Sequence, residues 1–341
     1  MNNMNKNIIG YFHICQKPGW EKSFDIIFEE IKNSGLYDAS KEIRCGIVND
    51  EEIIILNDRL QDLKLKILFC KNSNEYERLT LYHMRNFSEK DPENTVYWYV
   101  HSKGIRHFGT CFENNIIDWI KLLLYWNVKQ WKLALNMLNY YDTYGCNKME
   151  DYRQSKNPHY SGNFWWANIN HIKKLPTYID EYYNAPEDWI CTNYDRMCAI
   201  YTSTDNSEFH YHNLFSQENY AIPDDFNIDV YRIANFDICH LKYDELIKHY
   251  LSFGKFENRI YKVPEDLDMN SFIDGKIIWE YFYKDKEYCY NELGNYTKSI
   301  LPDDFDAKIY TYLHSDLAHF NEEKAKSHYI NYGRFENRIY K

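Results

Sequence analysis

Three short stretches of the chain hold residue types that can do chemistry together. His101-Ser102-Lys103-Gly104 follows directly on the apolar run Val96-Tyr97-Trp98-Tyr99-Val100. A diphosphate held at such a strand end needs positive charge, which a divalent cation on paired carboxylates can supply. Here His and Lys stand in place of acids. The ammonium of Lys103 can neutralise a departing diphosphate as a point charge, with His101 and Ser102 beside it. A surface turn with a solvated lysine would read the same way. Ser161-Gly162-Asn163-Phe164-Trp165-Trp166-Ala167 places small residues before a run of aromatics. Aromatic faces suit the C–H faces of a sugar ring, and Asn163 can bond a hydroxyl. Gly162, Asn163, Trp165 and Trp166 are therefore candidates for a sugar or acceptor pocket, although a core strand with buried rings fits equally. Pro186-Glu187-Asp188-Trp189 carries two adjacent acids. A carboxylate can take the proton of a hydroxyl as that oxygen attacks an anomeric carbon; Asp188 is the first choice for this base and Glu187 the second. Acids are also favoured at a helix N-terminus by the dipole. Tyr11 and His13 lie at the end of another apolar run.

Such residues need rigid elements to aim them, and the first half of the chain alternates strand and helix signals. Ile8 to Cys15, Ile43 to Val48, Leu65 to Cys70 and Val96 to Val100 are short apolar runs suited to buried strands. Trp20 to Ser34 carries Phe24, Ile27, Phe28 and Ile31 at helical spacing and stops at Gly35. Tyr76 to Phe87 reads as a helix, and Asn115 to Tyr141 as one long helix or two. Tyr160 to Ala167 reads as an aromatic strand entered through a glycine, and a helix is expected from about Trp189 to Ile200. The alternation predicts an α/β fold, a mostly parallel sheet flanked by helices. Such sheets place ligands at the carboxyl ends of their strands, where His101 to Gly104 falls.

Charge and cysteine usage narrow the class. With 51 acidic against 40 basic residues the net charge is -11, which argues against binding a nucleic-acid polymer. A nucleotide needs only a few local cations and stays open. No apolar run reaches the ~18 residues of a membrane span. The nine cysteines are scattered without a C-x-x-C pair, and so read as reduced thiols of a cytoplasmic protein. No Ser-His-Asp or Cys-His spacing points to a nucleophile system. Among His101, His107, His159, His210 and His212 no pair has helix spacing beside an acid, which disfavours a metal-dependent hydrolase.

The C-terminal third repeats itself. Pro223-Asp224-Asp225-Phe226 recurs as Pro302-Asp303-Asp304-Phe305, and Phe256 to Lys262 recurs letter for letter as Phe335 to Lys341, in both cases 79 residues later. The copies span 223–262 and 302–341, and Pro264-Glu265-Asp266-Leu267 suggests a degenerate copy between them. Each contains an amphipathic stretch closed by Gly254 or Gly333, as in repeats that bury their apolar faces together.

Taken in order, Val96 to Gly104, Asp118-Trp119 and His159 to Ala167 resemble a family of glycosyltransferases with a GT-A-type fold found in bacteria and giant viruses. The resemblance covers about residues 7–215, with Gly-Asn-Phe-Trp-Trp-Ala its most specific element and Tyr-x-His-Ser-Lys-Gly the next. Gly-x-x-Glu-x-Arg in the repeats is similar to short modules appended to bacterial glycosyltransferases. The resemblance implies a GT-A-like catalytic domain over 1–216 and a small, mainly helical repeat module over 217–341. It implies transfer of a sugar, hexosyl or N-acetylhexosaminyl, from a nucleotide diphosphate sugar, with uridine the expected base. The acceptor would be a hydroxyl of a glycan or protein. Tyr11, His13, His101, Ser102 and Lys103 would then meet the donor. Mn2+ or Mg2+ would be the cofactor, but the missing Asp-x-Asp leaves a metal-independent site open. The protein would work in the cytoplasm, that of the host if it is viral. The rival reading is a carbohydrate-binding protein in which such a fold has lost catalysis.

Overall fold

The computed structural model describes residues 6–49, 57–72, 75–150, 157–193, 196–203, 209–263, 302, 304–329 and 338–340. The chain divides into two compact units, from Asn3 to Ala221 and from Ile222 onward.

In the first unit β1 (Asn7–Cys15) is buried along almost its whole length. Continuous burial of an apolar strand is what a central position with both faces covered demands. Helix α1 (Trp20–Asn33) follows, then the short α2 (Leu36–Ala39), β2 (Glu42–Asn49) and β3 (Leu65–Asn72). Next come α3 (Arg78–Ser88) and β4 (Thr95–His101). The stretch read as one helix or two is two: α4 (Glu113–Leu124) passes through a wide π-type turn at Tyr125–Lys129 into α5 (Trp131–Met137). After β5 (Thr143–Gly145), β6 (Lys148–Met149) and β7 (His159–Tyr160) form a small ribbon. Then come β8 (Trp165–Asn168), α6 (Ile169–Lys174), α7 (Ala185–Trp189), β9 (Met197–Ala199) and α8 (Phe209–His212).

Seven strands make one sheet in the order β3-β2-β1-β4-β8-β5-β9. β1 pairs in parallel with β2 and β4, and β2 with β3. β8 runs antiparallel to both β4 and β5, and β9 is parallel to β5. Side chains alternate across a strand, so β1 serves two helix layers. Phe12 stacks on Phe24 of α1 at 5.3 Å, while Ile9 and Tyr11 join Leu81 and Met84 of α3 in the core of the other face. The fold is α/β, a mostly parallel sheet flanked by helices.

Two expectations fail locally. The aromatic strand across 160–167 is broken: β7 ends at Tyr160, and the chain turns at Gly162 (φ 97) and Asn163 (φ 53) before β8 starts. Left-handed residues cannot continue a strand, and the Gly-Asn pair is suited to them. The helix expected over 189–200 is also absent. Pro186 sits in the first turn of α7, a position that suits its fixed φ, so the acids lie inside a helix that is already ending. Met197–Ala199 then serves as an edge strand on β5.

The second unit shows the same contacts in both copies. Asn227 caps helix Ile228–Ala234 through its side chain, and Asp306 caps Ala307–Leu313 in the same way. The hydroxyl of Tyr231 lies 2.8 Å from His249 Nδ1, and that of Tyr310 lies 2.9 Å from His328 Nδ1. Arg259 binds Asp237 as Arg338 binds Asp316. Every pair is displaced by 79 positions. The degenerate copy suggested between them lies at 264–300, outside the described residues.

Candidate active site

The carboxyl ends of β1 and β4 lie side by side, and His13 is the register partner of His101. Both project toward α3, as alternation from Tyr11 and Tyr99 requires. His13 is buried with Nδ1 2.8 Å from Thr80 Oγ1, and burial pushes its pKa down to about 4. His101 Nε2 lies 3.0 Å from the Gly162 carbonyl. A carbonyl only accepts, so Nε2 carries the proton and Nδ1 presents a lone pair. Burial, and then the charge of Lys103, push the His101 pKa down to about 3. Ser102 ties the two strand ends together: its N–H donates to the His13 carbonyl, and its Oγ accepts from the Cys15 N–H at 2.8 Å.

Glu77, at the start of α3, organises the next layer. Its Oε2 accepts from the Tyr99 hydroxyl and from Asn163 Nδ2, each at 2.6 Å, and its Oε1 is 3.8 Å from His101 Nδ1. Asn163 in turn accepts from Trp165 Nε1 at 2.7 Å, and Trp165 stacks on Tyr99 with centroids 5.0 Å apart. The turn at Gly162 has little slack. A Cβ there would stand 2.6 Å from Leu123 Cδ1 and 3.2 Å from Lys103 Cε, besides straining a positive φ.

Lys103 is only 8% exposed, and its ammonium lies 3.9 Å from the centroid of the Trp119 ring. Among the described residues its ammonium makes no hydrogen bond or ion pair, while its carbonyl accepts from the Ser23 hydroxyl at 3.3 Å. The other side of this group is His210, stacked on Trp119 at 4.5 Å, with Nε2 3.0 Å from Ser203 Oγ. Burial and the Lys103 charge push His210 down to about 3. Trp119 Nε1 and His210 Nδ1 are buried and have no hydrogen-bond partner among the described residues. The cation–π contact holds the ammonium beside Trp119, by roughly 0.5–2 kcal/mol, and leaves its charge without an anionic partner among the described residues.

The two acids of α7 differ. Asp188 is 2% exposed and accepts a hydrogen bond from the Tyr182 hydroxyl. Glu187 keeps 24% of its side chain open, with Oε2 3.8 Å from His159 Nε2. Its charge also acts on Tyr99 and His101, so it faces the same cluster. The loop before α7 is fastened to α3 by buried Arg78, which donates to the carbonyls of Asp180 at 2.9 Å and Tyr182 at 2.6 Å.

The structure thus brings His13, His101, Ser102, Lys103, Gly162, Asn163, Trp165, Glu187 and Asp188 to one end of the sheet. Two candidates lie apart from it. Tyr11 is fully buried; its hydroxyl accepts from Arg44, which also grips Asp91 before β4. Trp166 is fully buried on the opposite face from Trp165 and donates to the Asn127 carbonyl. Sequence reasoning missed Glu77 and Thr80, weighed His159 and His210 only as members of a disfavoured metal site, and took Trp119 only as part of a motif.

No family model matches the chain. No curated protein matches it in sequence either. Among solved structures it is similar to 4-diphosphocytidyl-2C-methyl-D-erythritol synthase from Anaerococcus prevotii DSM 20548, at 11% identity and a TM-score of 0.34, over 59% of this chain and 91% of that one. It is also similar to S. aureus TarS 1–349, at 12% identity and a TM-score of 0.32, over 98% of this chain and 93% of that one. Likenesses this weak carry no argument about chemistry, which has to come from the site.

The groups that meet at the end of β4 are the Lys103 ammonium, the His101 imidazole whose Nε2 is taken by Gly162, and the Glu77 carboxylate, and among the described residues no group of three or more His, Cys, Asp or Glu side chains could hold a metal ion. The cluster offers instead a fixed positive charge, a partly open carboxylate, and neutral histidines between them.

Proposed function

We propose that the chain is a glycosyltransferase on a GT-A-like fold, moving a sugar from a nucleotide diphosphate donor, a uridine one, to a hydroxyl acceptor. The observation that carries this reading is buried Lys103 at the carboxyl end of β4, packed against Trp119 and without an anionic partner among the described residues. A diphosphate would supply the missing charge, and Lys103 would do for it what a metal ion does elsewhere. His13 and Ser102 support the donor side from the strand ends. Gly162, Asn163 and Trp165 back the sugar side from behind without touching ligand, since Asn163 and Trp165 are fully buried, Asn163 bonded to Glu77 and Trp165 to Asn163. Tyr11 and Trp166 act from the core, without touching ligand.

In the reaction the acceptor oxygen bonds to the anomeric carbon as its proton passes to a carboxylate. The bond from that carbon to the diphosphate oxygen breaks, and the negative charge left on the diphosphate settles beside Lys103. Glu187 is the base we favour, because it is the more open of the two acids; Asp188 holds Tyr182. The rival reading, a binding protein that has lost catalysis, leaned on Trp165 and Trp166 as a platform. Both rings are fully buried.

The test is to titrate UDP and uridine against wild type and Lys103→Ala. Losing one charge-assisted contact costs about 1.5–3 kcal/mol, roughly ten- to hundredfold in affinity. UDP should weaken by that factor while uridine is unchanged. An equal loss for both ligands would remove Lys103 from the diphosphate.

A further inference from the structure

Tyr76 and Tyr183 are two exposed rings that nothing above employs. Tyr76 directly precedes Glu77, and Tyr183 lies on the Arg78-fastened loop that leads into α7 and Glu187. They are 49% and 61% exposed, and their rings meet edge to face at 5.5 Å and 81°. Among the described residues neither phenol makes a hydrogen bond. Tyr76 is held at φ 53, a left-handed conformation that non-glycine residues seldom adopt and that tends to be kept at functional sites. Burial raises the Tyr183 pKa, and the charges acting on it include those of Arg106, Glu187 and Glu77, so its hydroxyl is within electrostatic reach of both acids.

Two rings at right angles make a corner with an aromatic face on each wall. A pyranose can lay its axial C–H groups on such a face while its hydroxyls reach polar neighbours. The charged neighbours here are Arg106, whose guanidinium donates, and the carboxylates Glu187 and Glu77, which accept from hydroxyls. We propose that Tyr76 and Tyr183 form the acceptor subsite and that the acceptor is a saccharide, its terminal ring stacked on Tyr183 with the reacting hydroxyl toward Glu187. The role of Glu187 rests on the transferase reading; the stacking itself does not.

Methyl α- and β-pyranosides of glucose, galactose and N-acetylglucosamine, with their di- and trisaccharides, are the probes. Saturation-transfer NMR on the intact chain reads binding, and UDP is titrated in parallel. At least one saccharide should bind wild type, and Tyr183→Ala should weaken it by about three- to tenfold. Tyr183→Trp should retain it, and UDP affinity should not move in either variant. Both changes are at an exposed side chain, so unfolding is not expected, and an unchanged Tm checks this. Binding of no saccharide, undiminished binding by Tyr183→Ala, or an equal loss of UDP would each overturn the proposal. Saccharide binding that depends on Tyr183 in a chain that ignores UDP would keep the subsite and sink the transferase reading; UDP binding without saccharide binding would do the reverse.

Discussion

A carboxylate that takes a proton during turnover has to be reachable by the acceptor, and this separates two neighbouring acids. Glu187→Gln should cut turnover by about 10²- to 10⁴-fold while leaving UDP affinity nearly unchanged. Asp188→Asn should act mainly on stability, because it weakens the charge-assisted bond from Tyr182. Steady-state kinetics beside thermal melts distinguish the two, and the reverse pattern would make Asp188 the base. The histidines set a pH dependence. His13, His101 and His210 take protons only near pH 4, 3 and 3 in the folded chain, against about 6.5 when unfolded. As pH falls from 7 to 5 the unfolded chain gains these protons and the folded chain does not, so stability is full above about pH 6.5 and declines below it. Urea midpoints should fall through that window, and a flat profile would show these imidazoles are not held neutral. Lys103 and the acidic pair were legible as residues, since their types announce charge chemistry. Glu77 was not, because a lone acid before a helix looks like a cap until Tyr99 and Asn163 close on it in space. That Trp165 and Trp166 face opposite ways follows from strand alternation and was readable once the strand was drawn.

The elements that hold the site are two loops pinned by single residues. Arg78 fastens the 180–182 segment to α3 from a buried position. Arg78→Ala should therefore lower stability by about 2 kcal/mol or more and reduce turnover more than UDP binding, since the loop carries the acids and not Lys103. Calorimetry with paired kinetics checks this; unchanged stability would mean the loop is held otherwise. Gly162→Ala combines a positive φ with a clash against Leu123, so a cost of about 1–3 kcal/mol is expected. UDP should weaken too, because the new methyl presses on Lys103. The strands β1 to β4 were readable from apolar runs and the helices between them from periodicity. The 161–164 turn and α7 were not, because aromatic and β-forming letters run through the turn, and a proline-started helix shorter than two turns leaves no periodicity.

At the scale of the whole molecule, the 79-residue displacement visible in the letters reappears as Tyr–His and Arg–Asp pairs in both C-terminal copies. The core of the first unit is built from its own strands and helices, so a fragment ending at Ala221 should melt cooperatively and keep UDP affinity. Loss of either would make the C-terminal unit part of the catalytic fold. The central claim is sugar transfer driven from a diphosphate leaving group beside Lys103. Its most direct measurement is nucleoside diphosphate released by the intact chain from a panel of nucleotide sugars, with the saccharides above as acceptors. The account expects release from at least one donor, faster with acceptor present, and reduced at least tenfold in Lys103→Ala. Release from no donor, or release indifferent to Lys103, would contradict it.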